Sequence, residues 1–396
     1  MKKELIGIFV CMTIIVTVLP VSGNLLEKST LMSLSSRNIF YVGGSGTGNY
    51  TKIQDAIDNT SNGDTVFVFD DSSPYYERVQ INKSIDLIGE DRNTTVIDAN
   101  GGGVVICISS DNVSINEFTL QNSSYGVEFD KNGFNFCAIS DNNIIDNGWG
   151  IRMSSLGIHN DNIIEGNNFF NNFYWTIVVF GNNNMILGNT IDHSPGTYPG
   201  PGVGIDGKGN NISGNMIKNC ERGINIFESD NNIVLNNDLS SGYRGICIKY
   251  SSNNTIIGNN ISYNEYWGVE IRENSNDNII YHNNLLYNME NAIDEGSNTW
   301  DDGKYGNYWS DYKERYPKAK KILFKGIWDT PYEIPDGKNK DNCPLIKKWP
   351  KSLSKTSQNN QNIWFHRWSV RFPILQEILD FLGSFYNFYE NMKGGM

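Results

Sequence analysis

Between Asn112 and Asp294, short apolar runs alternate with breaks rich in Asn and Gly, and the alternation itself repeats. Aligned on their turns, the segments from Asn112-Val113-Ser114 to Asp277-Asn278-Ile279 and onward to Asp294 form eight copies, stepping by roughly 19 to 28 residues. Within a copy, Ile224-Asn225-Ile226 and Val269-Glu270-Ile271 put the aliphatic side chains on one face and Asn225 or Glu270 on the other, the period of two that marks a strand. Gly and Asn punctuate every run; both accept the left-handed turns of a coil corner and disfavour helix interiors. A Gly recurs before the last short strand at Gly126, Gly150, Gly204, Gly223, Gly245 and Gly268. The pattern predicts an all-β chain, a right-handed parallel β-helix with three short strands per coil. One coil cannot bury its apolar face alone, so stacked coils share an Ile-filled core, with Asn side chains laddered at the corners. At about 4.8 Å per coil, eight coils and a few earlier ones give a rod on the order of 50 Å long. A leucine-rich repeat has a similar period but needs a regular Leu lattice, and Ile and Asn dominate here.

The flanks read differently. Residues 1–23 have the form of a secretory signal peptide: Lys2 and Lys3, an apolar run from Leu5 to Leu19, and the small-residue exit Val21-Ser22-Gly23. This predicts a secreted or cell-surface protein; the alternative, a retained anchor, needs a longer run. Residues 39–90 predict a short strand, a Gly-rich turn, an amphipathic helix carrying Ile53, Ala56 and Ile57, then strands over Thr65–Phe69 and Ser84–Gly89. A helix there caps the open end of the core. The Gly run ends in Tyr50-Thr51-Lys52, without the Gly-Lys-Ser/Thr of a phosphate loop.

Three stretches carry a resemblance. Gly44-Ser45-Gly46, Tyr50, Ile53-Gln54, Ala56-Ile57-Asp58, Gly63-Asp64-Thr65-Val66 and Ser84-Ile85 through Leu87-Ile88-Gly89 resemble the entry segment of the pectin-lyase-like β-helix superfamily. The repeats resemble those of NosD-like proteins, also described as carbohydrate-binding and sugar-hydrolase (CASH) repeats. Asn298 to Gly303, Gly306 to Tyr312, Asp329-Thr330-Pro331-Tyr332, Ile334-Pro335 and Asp341 to Leu345 are similar to the module that closes many NosD-like proteins of archaea and bacteria. Asn, Ile and Lys bias adds to the likeness to archaeal members. The resemblance implies contact with polysaccharide or glycoconjugate, and the superfamily includes enzymes that cleave or epimerise polysaccharides. One departure bears on metals. Where the family's closing module is Asp-rich, this chain has Tyr316-Pro317-Lys318-Ala319-Lys320-Lys321, so a calcium site inferred from the family is unsupported, since that ion needs several oxygen ligands. Copper, the namesake's metal, is not supported either: it wants clustered His, Met or Cys, and His159, His193, His282 and His366 stand apart. No cofactor is expected.

The resulting organisation is a leader (1–23), an N-terminal cap and first coils (39–111), the repeats (112–297), a closing module (298–346), a Lys-, Ser-, Gln- and Asn-rich linker (347–362) and an amphipathic tail (363–396). In the tail Ile374, Leu375, Ile378, Leu379, Leu382 and Phe385 fit one helical face, interrupted by Gln376, Glu377 and Asp380. This short helix docks on the rod, lies in a membrane interface beside Arg367 and Arg371, or binds a protein partner through residues 363–392. The net charge of −12 and the lack of a basic stripe along the repeats exclude nucleic acid as a partner. Cys107, Cys137, Cys220, Cys247 and Cys343 have no regular spacing, which argues against a disulfide framework or a CxxC metal site.

Superimposing the copies sets out one outward column, Glu128, Arg152, Val178, Asp206, Asn225, Cys247, Glu270 and Asp294, and a second holding Asp130, Lys208, Lys249 and Arg272. Glu270 and Asp294 then sit one coil apart, about 5 Å, a spacing suited to a paired-carboxylate glycosidase or a metal-assisted lyase, with Lys249 and Arg272 beside them as base or enolate stabiliser. The plainer reading is a solvated strand face of mixed charge, and a register slip of one residue dissolves the cluster. An aromatic column, Tyr125, Trp149, Trp175 and Trp267, precedes the same strand, and the insertion bearing Tyr198 enters at its edge. Aromatic rings there stack on sugars or simply cover the turn. With Asp206 they are the candidate substrate-binding residues. The reading is an exported, surface-associated β-helix contacting carbohydrate along its strand face. The alternatives are a polysaccharide lyase, glycoside hydrolase or epimerase, or a structural or adhesive rod.

Overall fold

The computed structural model describes residues 37–193 and 200–350; the leader, Tyr198 and the rest of the insertion tip, and the tail lie outside the described residues. Three parallel sheets of eleven, ten and ten strands run through the described residues, each adding its strands coil after coil in chain order. The fold is a parallel β-solenoid of about eleven coils. Coil lengths run from 21 residues, Val66 to Leu87, to 28, Leu87 to Ile115.

The strands are three to six residues long through the repeats because each corner must come quickly. In the first sheet the middle residue of each strand points inward, stacking Ile139, Ile164, Ile186, Ile212, Val234 and Ile256 in register at zero or near-zero exposure. The second sheet stacks Ile144, Phe169, Ile191, Ile217, Leu239 and Ile261 likewise. The third turns two residues inward per strand, as in Ile224 with Ile226 and Val269 with Ile271. Each such side chain contributes about 1.5–3 kcal/mol of burial, and only stacking supplies it.

The corner after the first sheet explains the Asn content. Asp141, Gly166, Gly188, Gly214, Asn236, Gly258 and His282 all take left-handed φ, between 55° and 69°, a region that Gly, Asn and Asp enter at least cost. Each is followed by a buried Asn. From Asn142 through Asn167, Asn189, Asn215, Asn237, Asn259 and Asn283 to Asn307, every Nδ2 donates to the next Oδ1 at 2.9–3.1 Å. The same amide also donates back to a main-chain carbonyl, as Asn237 does to Ile212 O at 2.8 Å. A second ladder runs from Asn162 to Asn298. The ladder amides are thus partnered, as buried polar groups need to be.

The helix Ile53–Asn59 stands where the sequence places it and contributes Ile53, Ala56 and Ile57 to the core. Glu77 accepts the first-turn amides of Ile53 and Gln54, at 2.9 and 3.1 Å, and Lys83 Nζ donates to the carbonyls of Ile57, Asp58 and Thr60 at the other end. Both charges match the helix dipole. Among the described residues no helix is long and apolar enough to cross a membrane.

Beyond the last coil, Trp300, Trp309 and Tyr332 are buried, with the Trp309 and Tyr332 rings stacked at 3.8 Å. Asp294 and Asp341, both at zero exposure, each accept an indole N–H at 2.8 Å, from Trp300 and Trp309. Two small antiparallel hairpins complete this segment, pairing Lys321–Ile322 with Ile327–Trp328 and Tyr332–Glu333 with Lys340–Asp341.

Candidate functional site

The third sheet carries the candidate site because glycine lets its coils approach. A Cβ at Gly245 would lie 2.5 Å from the carbonyl oxygen of Gly268, and one at Gly223 would lie 2.7 Å from that of Gly245. No side chain fits there, so the residue before each Gly is laid out on the sheet's outer face. Strand pairing aligns Tyr125, Trp149 and Trp175, and further along Arg222 and Arg244, with Trp267 opposite Glu290. Each of the four aromatics is partly exposed.

Two stretches of this face differ in character. Around Trp149 the rings dominate: Tyr125 lies 6.1 Å away and Tyr174 6.3 Å, with Phe173 edge-on to Tyr174. Arg152 sits over both Tyr125 and Trp149, 5.2 and 5.7 Å from the ring centres, and is held by Glu128 at 2.7 Å. Around Trp267 the arginines dominate. Arg244 and Arg272 each lie 5.1 Å from the Trp267 ring, and Arg244 also covers Tyr243 at 4.9 Å. Tyr243 and Tyr266 are 4.4 Å apart.

Glu270 holds this second stretch together. It is 4% exposed, with Oε1 3.0 Å from Arg272 Nε and Oε2 2.9 Å from Arg244 Nε. The Arg272 contact has hydrogen-bond geometry; the Arg244 contact is close but off-line, leaving Arg244 Nε without a formal hydrogen bond. Buried Cys247 points its thiol at the same carboxylate, 3.5 Å away, and burial pushes that thiol's pKa up. Arg272 also pairs with Glu295, and Lys249 with Glu273 at 2.8 Å. The hydrogen bond from Lys249 holds Glu273 below the usual carboxylate range.

The register corrects three sequence placements. Asp294 pairs with Ile271, not with Glu270, whose partner is Ile293. A slip of one residue therefore turns Asp294 into the interior, where Gly296 N, Asn298 Nδ2, Trp300 Nε1 and Asn339 Nδ2 all donate to it. Gly204 pairs with Val178 and Asn225, so it lies in the outward column; the close-packed glycine of that coil is Gly202. Asp206 accordingly moves two positions along, opposite Phe180. Asp206 is exposed, and desolvation with the charge of Glu228 raises its pKa above the ordinary carboxylate value. Glu270, Lys249 and Arg272 do share one face, though each is already ion-paired. Asp294 is not with them.

Sequence reasoning missed Arg222 and Arg244 in the aromatic column. The signal was present: Arg222-Gly223 and Arg244-Gly245 repeat Trp149-Gly150 and Trp267-Gly268. Trp175 has its own accommodation, since a Cβ at Gly204 would strike its ring at 2.5 Å.

Three parallel sheets with glycine-packed, short-stranded coils define a parallel β-solenoid. Residues 196–314 match the family described as periplasmic copper-binding protein (NosD), so that stretch of the coils is similar to the family. No curated protein matches the chain by sequence. Among solved structures, a GH136 lacto-N-biosidase from Eubacterium ramulus is 11% identical with a TM-score of 0.54, the match covering 66% of this chain and 68% of that one. An alginate lyase from Paenibacillus sp. strain FPU-7 is 15% identical at TM-score 0.48, over 66% of this chain and 99% of that one. A pectate lyase is 14% identical at TM-score 0.41, over 81% and 91%.

The described histidines stand apart from one another. His159 is buried and accepts the Phe134 amide at Nδ1, 5.3 Å from the Phe129 ring; His193 Nε2 bonds Thr176 Oγ1; His282 stacks on Trp349 at 3.4 Å. Among the described residues no three His, Cys, Asp or Glu side chains converge as a metal would need. His366 lies outside them.

Proposed function

We propose that this chain is an exported, right-handed β-helix, capped by its N-terminal helix, that contacts an extended carbohydrate along the third sheet. The observation that carries the reading is the column of partly exposed rings and guanidinium groups at one position of the coils, Tyr125, Trp149 and Trp175, then, past the coil that sets Pro201 there, Arg222, Arg244 and Trp267. Rings offer apolar faces to the C–H faces of sugars, and guanidinium groups donate in a fixed fork to hydroxyls or carboxylates. The coil repeat sets the spacing, so a polymer meets the same chemistry along its length. Enzymes acting on carbohydrates occur among the fold neighbours, which adds precedent for the fold and no residue assignment.

The test is affinity for a panel of neutral and uronic-acid polysaccharides. Trp149→Ala combined with Trp267→Ala is expected to weaken binding about ten-fold or more with the circular dichroism unchanged. Undiminished affinity in a folded double variant assigns the rings to covering the turn.

A catalytic reading has one supporting observation, the pKa of Asp206 raised beside Glu228, the direction that suits a general acid. Mass spectrometry of polysaccharide incubated with the protein tests it. New chain ends that vanish in Asp206→Asn support an enzyme; no products, or products unaffected by that change, remove Asp206 as the acid.

A further inference from the structure

We propose that the hairpin tip formed by Leu323 and Phe324 inserts into the interface of an anionic lipid bilayer. This goes beyond the carbohydrate reading and does not depend on it.

Leu323 is 77% exposed and Phe324 88%, the highest value among the large apolar side chains described. They sit side by side on a built turn. Lys325 N and Gly326 N both donate to Ile322 O, at 3.0 and 2.9 Å, and Gly326 takes φ of +73°. The strands below pair Lys321 with Trp328 and Ile322 with Ile327. Ile327 and Trp328 are buried, Trp328 stacks on Tyr312 at 5.0 Å, and Ile346 N donates to Gly326 O. The tip is therefore a fixed projection, and two adjacent exposed apolar side chains on a projection need an apolar destination.

The surrounding charge identifies that destination. Residues 317–328 contain Lys318, Lys320, Lys321 and Lys325 and no acid. Lys347 and Lys348 follow Ile346, whose amide touches the turn. Lys313 and Lys321 hold their ammonium groups 4.9 and 5.5 Å from the Trp328 ring. The next acid along, Asp329, already accepts from Lys320 N and Thr330 Oγ1. Residues 298–350 hold eleven Lys and Arg against eight Asp and Glu, in a chain of net charge −12. Apolar tips ringed by cations suit the headgroup boundary, where the side chains meet acyl carbon and the lysines meet phosphates. The acidic coils are repelled by the same surface, so contact is made through this end of the rod.

The experiment is flotation of the full chain with vesicles of phosphatidylcholine alone or with about 30 mol % phosphatidylglycerol. Flotation is expected only with the anionic vesicles and falls as salt rises. Leu323→Ser with Phe324→Ser should weaken it about ten-fold or more, and Lys318→Gln or Lys320→Gln about five-fold each. These positions are exposed, so thermal unfolding should match the parent. Absence of flotation overturns the proposal. Equal flotation of parent and tip variant also overturns it, moving membrane contact to residues 363–392. Self-association that depends on Phe324, without flotation, makes the occupant a second copy of the chain and overturns it too.

Discussion

Asp294 accepts the indole N–H of Trp300 at 2.8 Å from the place where the preceding coil puts Ile271. The stack of aliphatic side chains ends there in a carboxylate, saturated by four donors. Replacing it with Ala leaves those donors buried and unmet, each costing about 1–3 kcal/mol before relaxation. Asp294→Ala should lower stability by several kcal/mol in urea unfolding while leaving glycan affinity of the surviving folded fraction unchanged. Loss of affinity without loss of stability would return Asp294 to the outer face.

Glu270 is shared by two arginines on a nearly closed surface. Glu270→Gln keeps the shape and removes the countercharge. Breaking such a buried pair costs about 3–5 kcal/mol, and Arg272 retains Glu295, so about 2–4 kcal/mol is expected here. Chemical denaturation measures it. Any drop in turnover or binding in this variant must be read after that stability loss.

The ladder predicts an asymmetry between two substitutions at one position. Asn237 donates to Asn259 Oδ1 and Ile212 O, while its own Oδ1 accepts from Asn215. Asn237→Ala removes these bonds. Asn237→Asp sets a second acceptor against two acceptors in a dry corner, so it should be the more destabilising of the two at neutral pH. The gap, read from thermal midpoints, should close as acid restores a proton donor.

Burial pushes the Asp341 carboxyl up to about 7, against the lowering by its N–H partners Asn307, Trp309 and Cys343. Its ordinary value is 3.8. Between the two, the folded protein holds a proton that the unfolded chain has released, so stability from this group is full below the lower value and is lost as pH rises through the upper one. Thermal midpoints followed from about pH 4 to about pH 8 should show that decline, flattened in Asp341→Asn. An unchanged slope in the variant would place the titration elsewhere.

Much of this architecture is written in local pattern. Ile224-Asn225-Ile226 announces its strand by alternation, and Asn next to Gly announces a left-handed corner. Both depend on near neighbours in sequence, and both hold in the structure. The site depends on something else, the alignment of one coil with the next. Gly204 and Gly202 are two glycines in one coil, and only stacking against Gly223 tells them apart. Asp294 looks like an outward residue until the absence of a glycine at Asn291 shifts the count by one. The hairpin tip is legible as composition, a lysine-rich segment, but its exposure follows from where Trp328 and Ile346 are anchored.

The asparagine ladder passes without a break from coil to coil into Asn298 and Asn307, which belong to the segment after the repeats. In the language of crystal growth, each coil is a layer templated by the one beneath it, and the top layer always presents the lattice for another. The chain supplies its own final layer and then changes composition, so that what would be a growth face becomes a finished facet. Rod length is in that sense not a property of the repeat at all. It is set by the position in the sequence at which a non-repeating segment borrows the repeat's asparagines and stops.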